Sequence, residues 1–452
     1  MRNSIAHHLC RSRLVFFESF FAIILALMAC GCSGTASINS VLAVTVSPTS
    51  ASLALGATQQ FSSTVTSSSN TAVTWSVNGV PGGNSTVGTI SNSGLYAAPS
   101  VISPGSVSVT AASQADSTKQ ASASVAVRQQ VLAVAAAPAQ GMTPAAALDL
   151  VLAAGGRGQG VDLHWPELEP SPGVYDFTTA NKIITDENEG PFRIHVALDV
   201  INTTVREVPS DLVTTPFDDP QQMLPRFTNM LTALLNQYGT KIDSITIGNE
   251  VDVYLGANPT QWQAYATFYG EASALIHSQF PSIRVGVTST FGGATDATNG
   301  PLIASLNSVS DMFMMNYYPL NADFTPRDPS VVTADFAKIL AVSQGKPILL
   351  QEVGYPTSTA LGSSEQMQAQ FVNNVFSEWM KAGNKIEYLS FFLLHDDTPA
   401  NCAQIAAQFQ QANPNFVLFF CSLGLRNSDG TDKLAWPALK TAAQADGFTA
   451  QP

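Results

Sequence analysis

The chain has 452 residues, 45% of them hydrophobic and 12% charged, with a formal charge of −13. That length exceeds one ordinary core, and the composition excludes an intrinsically disordered chain. The acidic balance repels a phosphate backbone and no basic cluster stands beyond the N-terminus, so nucleic-acid binding is excluded.

The chain opens with Arg2, Arg11 and Arg13 ahead of the apolar run SFFAIILALMA, with Glu18 at its upstream edge. The run is too short to span a bilayer as a helix and reads as an export signal. Leu27, Met28 and Ala29 precede Cys30. This string resembles the bacterial lipobox, and the resemblance implies cleavage after residue 29 and a lipid on Cys30. Cys32 is the second choice, and a plain secretory signal is the alternative. The expectation is a periplasmic or cell-surface lipoprotein that meets the membrane only through its N-terminal lipid. Residues 30–42 read as a small, polar linker.

Residues 43–128 alternate apolar and polar residues in short runs separated by turn signals. Seven or so such runs in under 100 residues predict an antiparallel β-sandwich with Trp75 as its core anchor. The strings SPTSASLALGATQQF, VTWSVNGV and GTISNSGLYAAPS resemble the bacterial Ig-like domain of group 2. That likeness implies a spacer or adhesive module, and the segment holds no catalytic constellation.

From residue 131 to 452 the texture changes to apolar strands alternating with helical stretches. Strands are expected at VLAVAAAP, GVDLHW, FRIHVALDV, SITIGNE, RVGVTST, DMFMMNYYP, PILLQEVGYP and YLSFFLLHDD. Thr143 and Pro144 form a cap and first-turn pair for the first helix. Eight such repeats predict a (β/α)8 barrel, with a doubly wound open sheet as the alternative. GGRGQG at 155–160 is a poor dinucleotide fingerprint, because it follows a helix and leads into a strand. Cys402 and Cys421 suit a disulfide in an oxidising compartment, or remain free thiols. No zinc-type spacing of Cys or His occurs.

In such a barrel the C-terminal strand ends line the active-site mouth. Asn249 and Glu250 end the fourth strand and Glu352 ends the seventh, so two carboxylates can oppose each other across it. Alternation from Ile348 and Leu350 places Glu352 on one repeating face, and two-residue alternation puts Asn316 and Tyr318 on one face. Paired carboxylates serve glycosidic bond cleavage, one protonating the leaving oxygen and the other meeting the oxocarbenium-like carbon. His164 and Trp165 end the second strand, where either lines the sugar site or packs, and Trp165 suits the apolar face of a pyranose. Asp199, His395, Asp396 and Asp397 are candidate wall residues, whereas Glu167 and Glu169 read as structural.

GNE, QEVGYP, HWPELEPSPGVYDF and CSLGLRNSDGTDKLAWPALK resemble the clan of retaining (β/α)8 glycoside hydrolases, endo-β-1,4-galactanases and related β-glycanases among them. The resemblance implies Glu250 as acid/base, Glu352 as nucleophile and Asn249 on the sugar 2-hydroxyl. It further implies Asn316 contacting sugar and Tyr318 holding the nucleophile. A retaining pair stands about 5–5.5 Å apart and an inverting pair about 6.5–9.5 Å. Many members carry Trp at the end of strand eight; here SFFLLHDD offers Phe392 or His395 instead. The expected protein is a monomeric, cofactor-free β-glycosidase acting on β-linked polysaccharide or oligosaccharide. A transglycosylase on the same scaffold and a non-catalytic carbohydrate-binding surface protein are the rivals.

Overall fold

A computed structural model of the chain describes residues 41–99, 106–128, 130–186 and 192–448. The export signal, Cys30 and the linker up to residue 40 lie outside the described residues.

Among the described residues between Ala43 and Arg128, eleven short strands form three sheets. They are more fragmented than the seven or so runs the sequence predicts. Gly79, Gly82 and Gly83 adopt positive φ and cut the middle of the segment into two-residue strands, Val80–Pro81 and Gly83–Asn84. One pairing is parallel, Gln120–Arg128 beside Ser50–Ala54. The first strand, Ala43–Ser47, pairs antiparallel with Ser62–Thr66 until Pro48, which has no N–H for a ladder; the chain then crosses to another sheet. Alternating positions of Ser106–Ser113 point inward, and Phe61, Trp75, Val77, Tyr96, Val109 and Val125 are buried. A Cβ on Gly94 would stand 2.3 Å from the Phe61 carbonyl oxygen and 3.0 Å from the Trp75 ring, so the turn closes tightly over the core. Trp75→Ala is expected to cost about 3–5 kcal/mol, through lost burial and the cavity left behind. A lower urea midpoint checks this.

From Val131 onward the eight expected strands are present and parallel. They are Val131–Val134, Gly158–His164, Arg193–Asn202, Ile242–Asn249, the split fifth strand Arg284–Gly286 with Thr288–Thr290, Phe313–Tyr317, Ile348–Val353 and Ile386–Phe391. The first strand pairs with both the second and the eighth. The fifth strand breaks at Val287, its first half pairing with the fourth strand and its second half with the sixth. This order closes the sheet on itself and removes the open-sheet alternative. The runs are apolar because both faces are covered, one by helices and the other by the barrel interior. Val131, Ala133, Met312, Met314, Leu349 and Tyr388 form one inner cluster, and Tyr388 fills the space left at Gly158, where a Cβ would lie 2.5 Å from its ring.

The first helix starts as the sequence predicts, with the Thr143 hydroxyl accepting from the Ala146 amide ahead of Pro144–Ala153. After the eighth strand come the helices Pro399–Gln408 and Pro414–Phe420, ahead of the closing helix Ala435–Ala445. A disulfide joins Cys402 to Cys421, with the Cα atoms 5.8 Å apart.

Candidate active site

Alternation along the fourth strand turns Ile245 and Ile247 into the packed hydrophobic core and leaves Ser244 and Thr246 facing inward. Register with the third strand slips after Ile247, and Gly248 takes a φ of 84°. A Cβ there would stand 2.5 Å from the Tyr265 hydroxyl oxygen, so the position needs glycine. Glu250 follows in the left-handed region, at φ 48° and ψ 44°, and begins the helix Val251–Leu255. That conformation costs a non-glycine residue roughly 1–3 kcal/mol. Asn249 and Glu250 both line one cavity.

The seventh strand reaches the cavity differently from the sequence expectation. Ile348 and Leu350 pack into the main core, while Leu349 belongs to the inner cluster. Strict alternation would therefore send Glu352 outward. The register against the sixth strand shifts, Met315 pairing with Leu350 but Asn316 with Glu352, so Gln351 is the extra residue of a bulge. The bulge lets Gln351 and Glu352 both face the interior.

Glu250 and Glu352 line a common cavity of about 510 Å³. The Asn316 amide donates to Glu250 Oε1 at 3.1 Å and the Thr203 hydroxyl to Oε2 at 3.0 Å. The Tyr318 hydroxyl donates to Glu352 Oε2 at 2.6 Å. Burial is the largest influence on both carboxyls and raises both pKa values. The Glu250 charge further raises Glu352, and Asp252 further raises Glu250. The Tyr318 and Asn316 donors oppose those shifts without cancelling them. The pair therefore keeps a proton well above the usual carboxylate range.

Behind the pair runs a buried polar chain. Asn249 Oδ1 accepts from Asn316 at 3.0 Å and from the Gln351 amide at 3.1 Å. Gln351 Oε1 in turn meets His195 Nε2 at 3.0 Å, and His195 Nδ1 lies 3.0 Å from the Ser244 hydroxyl. Burial lowers His195 to about 4, so it is neutral at physiological pH; Nε2–H donates to Gln351 and Nδ1 accepts from Ser244. This chain fixes the Asn249 amide with its oxygen toward Asn316 and Gln351. Gln351→Leu is expected to lower kcat about tenfold or more with little change in KM, by freeing Asn249. Steady-state kinetics on any accepted glycoside reads that split.

Asp162, His164 and Asp199 occupy the second and third strands at the same cavity. Asp162 is exposed to the cavity, yet the protein enclosing it holds its carboxyl above the usual range. His164 Nδ1 lies 3.0 Å from Glu207 Oε2 and 3.6 Å from Asp199 Oδ2. The Glu207 hydrogen bond leads in raising His164, against the desolvation that lowers it. Asp199 is 2% exposed, its Oδ1 has no hydrogen-bond partner among the described residues, and burial raises it well above its ordinary value.

The structure thus brings Asn249, Glu250, Asn316, Tyr318 and Glu352 together. It also adds Asp162, Asn202 and Thr203, which the sequence reading did not name. Asp162 stands two residues before His164 on one strand, a spacing that could have flagged it; Thr203 sits in an irregular turn with no such signal. Two expected sugar contacts are corrected. Trp165 is fully buried among Phe227 and Phe268, with its indole N–H donating to Glu169 Oε2 at 2.9 Å, so it cannot stack on a ligand. His395 is also buried, with Nδ1 donating to the Ala137 carbonyl at 2.8 Å, and does not line the cavity. Phe392 does line it. Asp396 is ion-paired with buried Lys433 at 2.7 Å, and Asp397 accepts from the Thr398 and Asn401 nitrogens. Glu169 is structural, holding Arg226 at 3.1 Å as well as Trp165.

A closed parallel (β/α)8 barrel behind a β-sandwich, with carboxylates ending strands four and seven, has the architecture found among glycoside hydrolases. Residues 40–125 match the model of the bacterial Ig-like domain (group 2). Solved structures similar to the chain include the exo-β-1,4-mannosidase Op5Man5 from Opitutaceae bacterium strain TAV5, at 19% identity and a TM-score of 0.52. That alignment covers 66% of this chain and 55% of the mannosidase, so the chain spans about half its length. GH5_18 from Streptomyces cattleya, in complex with GlcNAc, aligns at 16% identity and a TM-score of 0.56 over 72% of this chain and 82% of that one. A psychrophilic family 10 endo-β-1,4-xylanase aligns at 15% identity and a TM-score of 0.51, over 69% and 96%. These likenesses establish the fold. No curated protein matches the chain in sequence.

Proposed function

We propose that the chain is a retaining β-glycosidase that hydrolyses O-glycosidic bonds outside the cytoplasm. The observation that carries this reading is the pair Glu250 and Glu352 in one cavity, each with its own hydrogen-bond donors and both raised by burial. Glu352, held by Tyr318, attacks the anomeric carbon while Glu250 gives its proton to the departing oxygen. The C1–O bond breaks, a glycosyl ester on Glu352 forms, and the aglycone leaves as an alcohol. Glu250, now a carboxylate, takes a proton from water, whose oxygen displaces Glu352 and restores both groups. Asn249 Nδ2, which makes only a 3.4 Å contact with Asn202, is free to meet the 2-hydroxyl.

The cavity presents Asp162, Asp199, Glu250 and Glu352 and no Lys or Arg among its described residues, which favours neutral sugars over uronates. The lipid on Cys30, surface or periplasmic location and a monomeric state complete the proposal, with the sandwich as a spacer. Reducing-sugar release from β-galactans, β-mannans, β-glucans, xylans and simple β-glycosides tests it, with Glu250→Gln and Glu352→Gln in parallel. Hydrolysis lost in both variants supports the reading. Binding without hydrolysis, unaffected by either change, moves the protein to the carbohydrate-binding class.

A further inference from the structure

The cavity is divided by chemistry. Its side toward strands two to four carries Asp162, His164, Asp199, Asn202 and Asn249. Its other side is hydrocarbon: Phe324 after the sixth strand, Phe392 after the eighth, and Phe409, Phe416, Phe419 and Phe420 from the disulfide-closed segment. Phe416 packs on Phe324 at 5.3 Å and on Phe420 at 5.9 Å between ring centroids, and Phe420 on Phe392 at 5.8 Å. Phe419 stands edge-on to Tyr318 at 5.3 Å, so the wall runs up to the residue that holds Glu352. Gln408 and Gln411 also line the cavity, and the Gln411 side-chain oxygen is occupied by the Asn413 amide.

The segment bearing most of this wall reaches far from its own strand. The Thr204 hydroxyl, after the third strand, donates to the Phe409 carbonyl at 2.8 Å. The Asn415 amide donates to the Asp323 carbonyl, after the sixth strand, at 2.9 Å. With the Cys402–Cys421 bridge these contacts fix the wall over the mouth. A single ring can stack on the C–H face of a pyranose, but a wall of phenyl groups also meets the hydroxyls around its rim and leaves them without partners, at a cost of about 1–3 kcal/mol each.

We propose that the phenylalanine wall is an aglycone subsite, and that the substrate joins one recognised sugar to an apolar alkyl or aryl group rather than to a further sugar. This rests on the glycosidase reading and narrows it. The sugar lies against the carboxylate and amide side, the apolar group lies on the phenylalanines, and Glu250 protonates the oxygen between them.

The test uses methyl, butyl and hexyl 1-thio-β-glycosides of glucose, galactose and mannose, which resist hydrolysis, with calorimetric binding to the intact protein. The corresponding O-glycosides are assayed for turnover. Alkanol leaving groups of similar acidity make any trend with chain length a report on binding. Each methylene buried on the wall strengthens binding about fourfold, so hexyl is expected to bind at least about tenfold more tightly than methyl. Phe420→Asn and Phe324→Asn, on separate segments, are expected to cut that ratio below about threefold. Equal affinity along the series, no binding by any member, or tighter binding of matched 1-thio-disaccharides would overturn the subsite. Chain-length-dependent binding with no turnover of any O-glycoside would retain the subsite and remove the glycosidase reading. Turnover without a chain-length effect would do the reverse.

Discussion

Glu352→Gln is expected to lower kcat/KM on every accepted β-glycoside by about four orders of magnitude or more. An amide cannot attack the anomeric carbon, and loss of a nucleophile removes the double displacement itself. The carboxamide can still accept from the Tyr318 hydroxyl, so the seventh-strand bulge and the cavity keep their shape. A Glu352→Gly variant leaves room beside the anomeric carbon. With azide and an activated aryl β-glycoside it is expected to yield the α-glycosyl azide, because a single external displacement inverts the centre. A Glu352→Gln protein that retains a tenth of the activity would remove the residue from the chemistry.

Glu250→Gln should behave differently. Its expected loss is about 10²- to 10⁴-fold on alkyl glycosides, whose leaving oxygen needs a proton. The first step on a dinitrophenyl glycoside, whose leaving group departs as an anion, should suffer far less. The pH profile supplies a second readout. In the wild-type protein the acid limb reports protonation of the Glu352 carboxylate, and the basic limb reports loss of the proton held by the pair. Burial raises both groups, so both limbs should lie above the range of free carboxylates. Glu250 is protonated and uncharged where Glu352 titrates at the acid limb, so a neutral amide in its place leaves the Glu352 carboxyl where burial holds it. In Glu250→Gln the basic limb should therefore disappear while the acid limb stays close to its wild-type position. A basic limb retained in that variant would assign it to other groups, Asp162 and Asp199 foremost among them.

Much of this architecture is legible in the residues because the barrel strands are buried on both faces and read as continuous apolar runs. The same logic exposes Asn249 and Glu250, since an amide and a carboxylate have no place in such a run unless the strand ends in a site. Asn316 and Tyr318 follow from two-residue alternation, and the structure puts their donors on Glu250 and Glu352. Glu352 is the instructive case: it faces the mouth because of a bulge at Gln351, whereas uninterrupted alternation from Ile348 and Leu350 points outward. A bulge depends on the neighbouring strand's register and leaves no local mark. Trp165 misleads for a related reason. It follows the second strand but begins a one-turn helix, Trp165–Leu168, whose first residue faces the outer core rather than the mouth. The phenylalanine wall is equally hidden, because partners more than ninety residues apart, Phe324 and Phe416, define it.

The central claim is a covalent glycosyl ester on Glu352. The most direct measurement is peptide mass spectrometry after incubation with 2-fluoro β-glycosyl fluorides of glucose, galactose and mannose, since the 2-fluoro group slows release more than formation. A peptide containing Glu352 and heavier by one fluoroglycosyl residue is the predicted result, absent in Glu352→Gln. Turnover of the parent β-glycoside with first release of the α-anomer, and no labelled peptide, would contradict it.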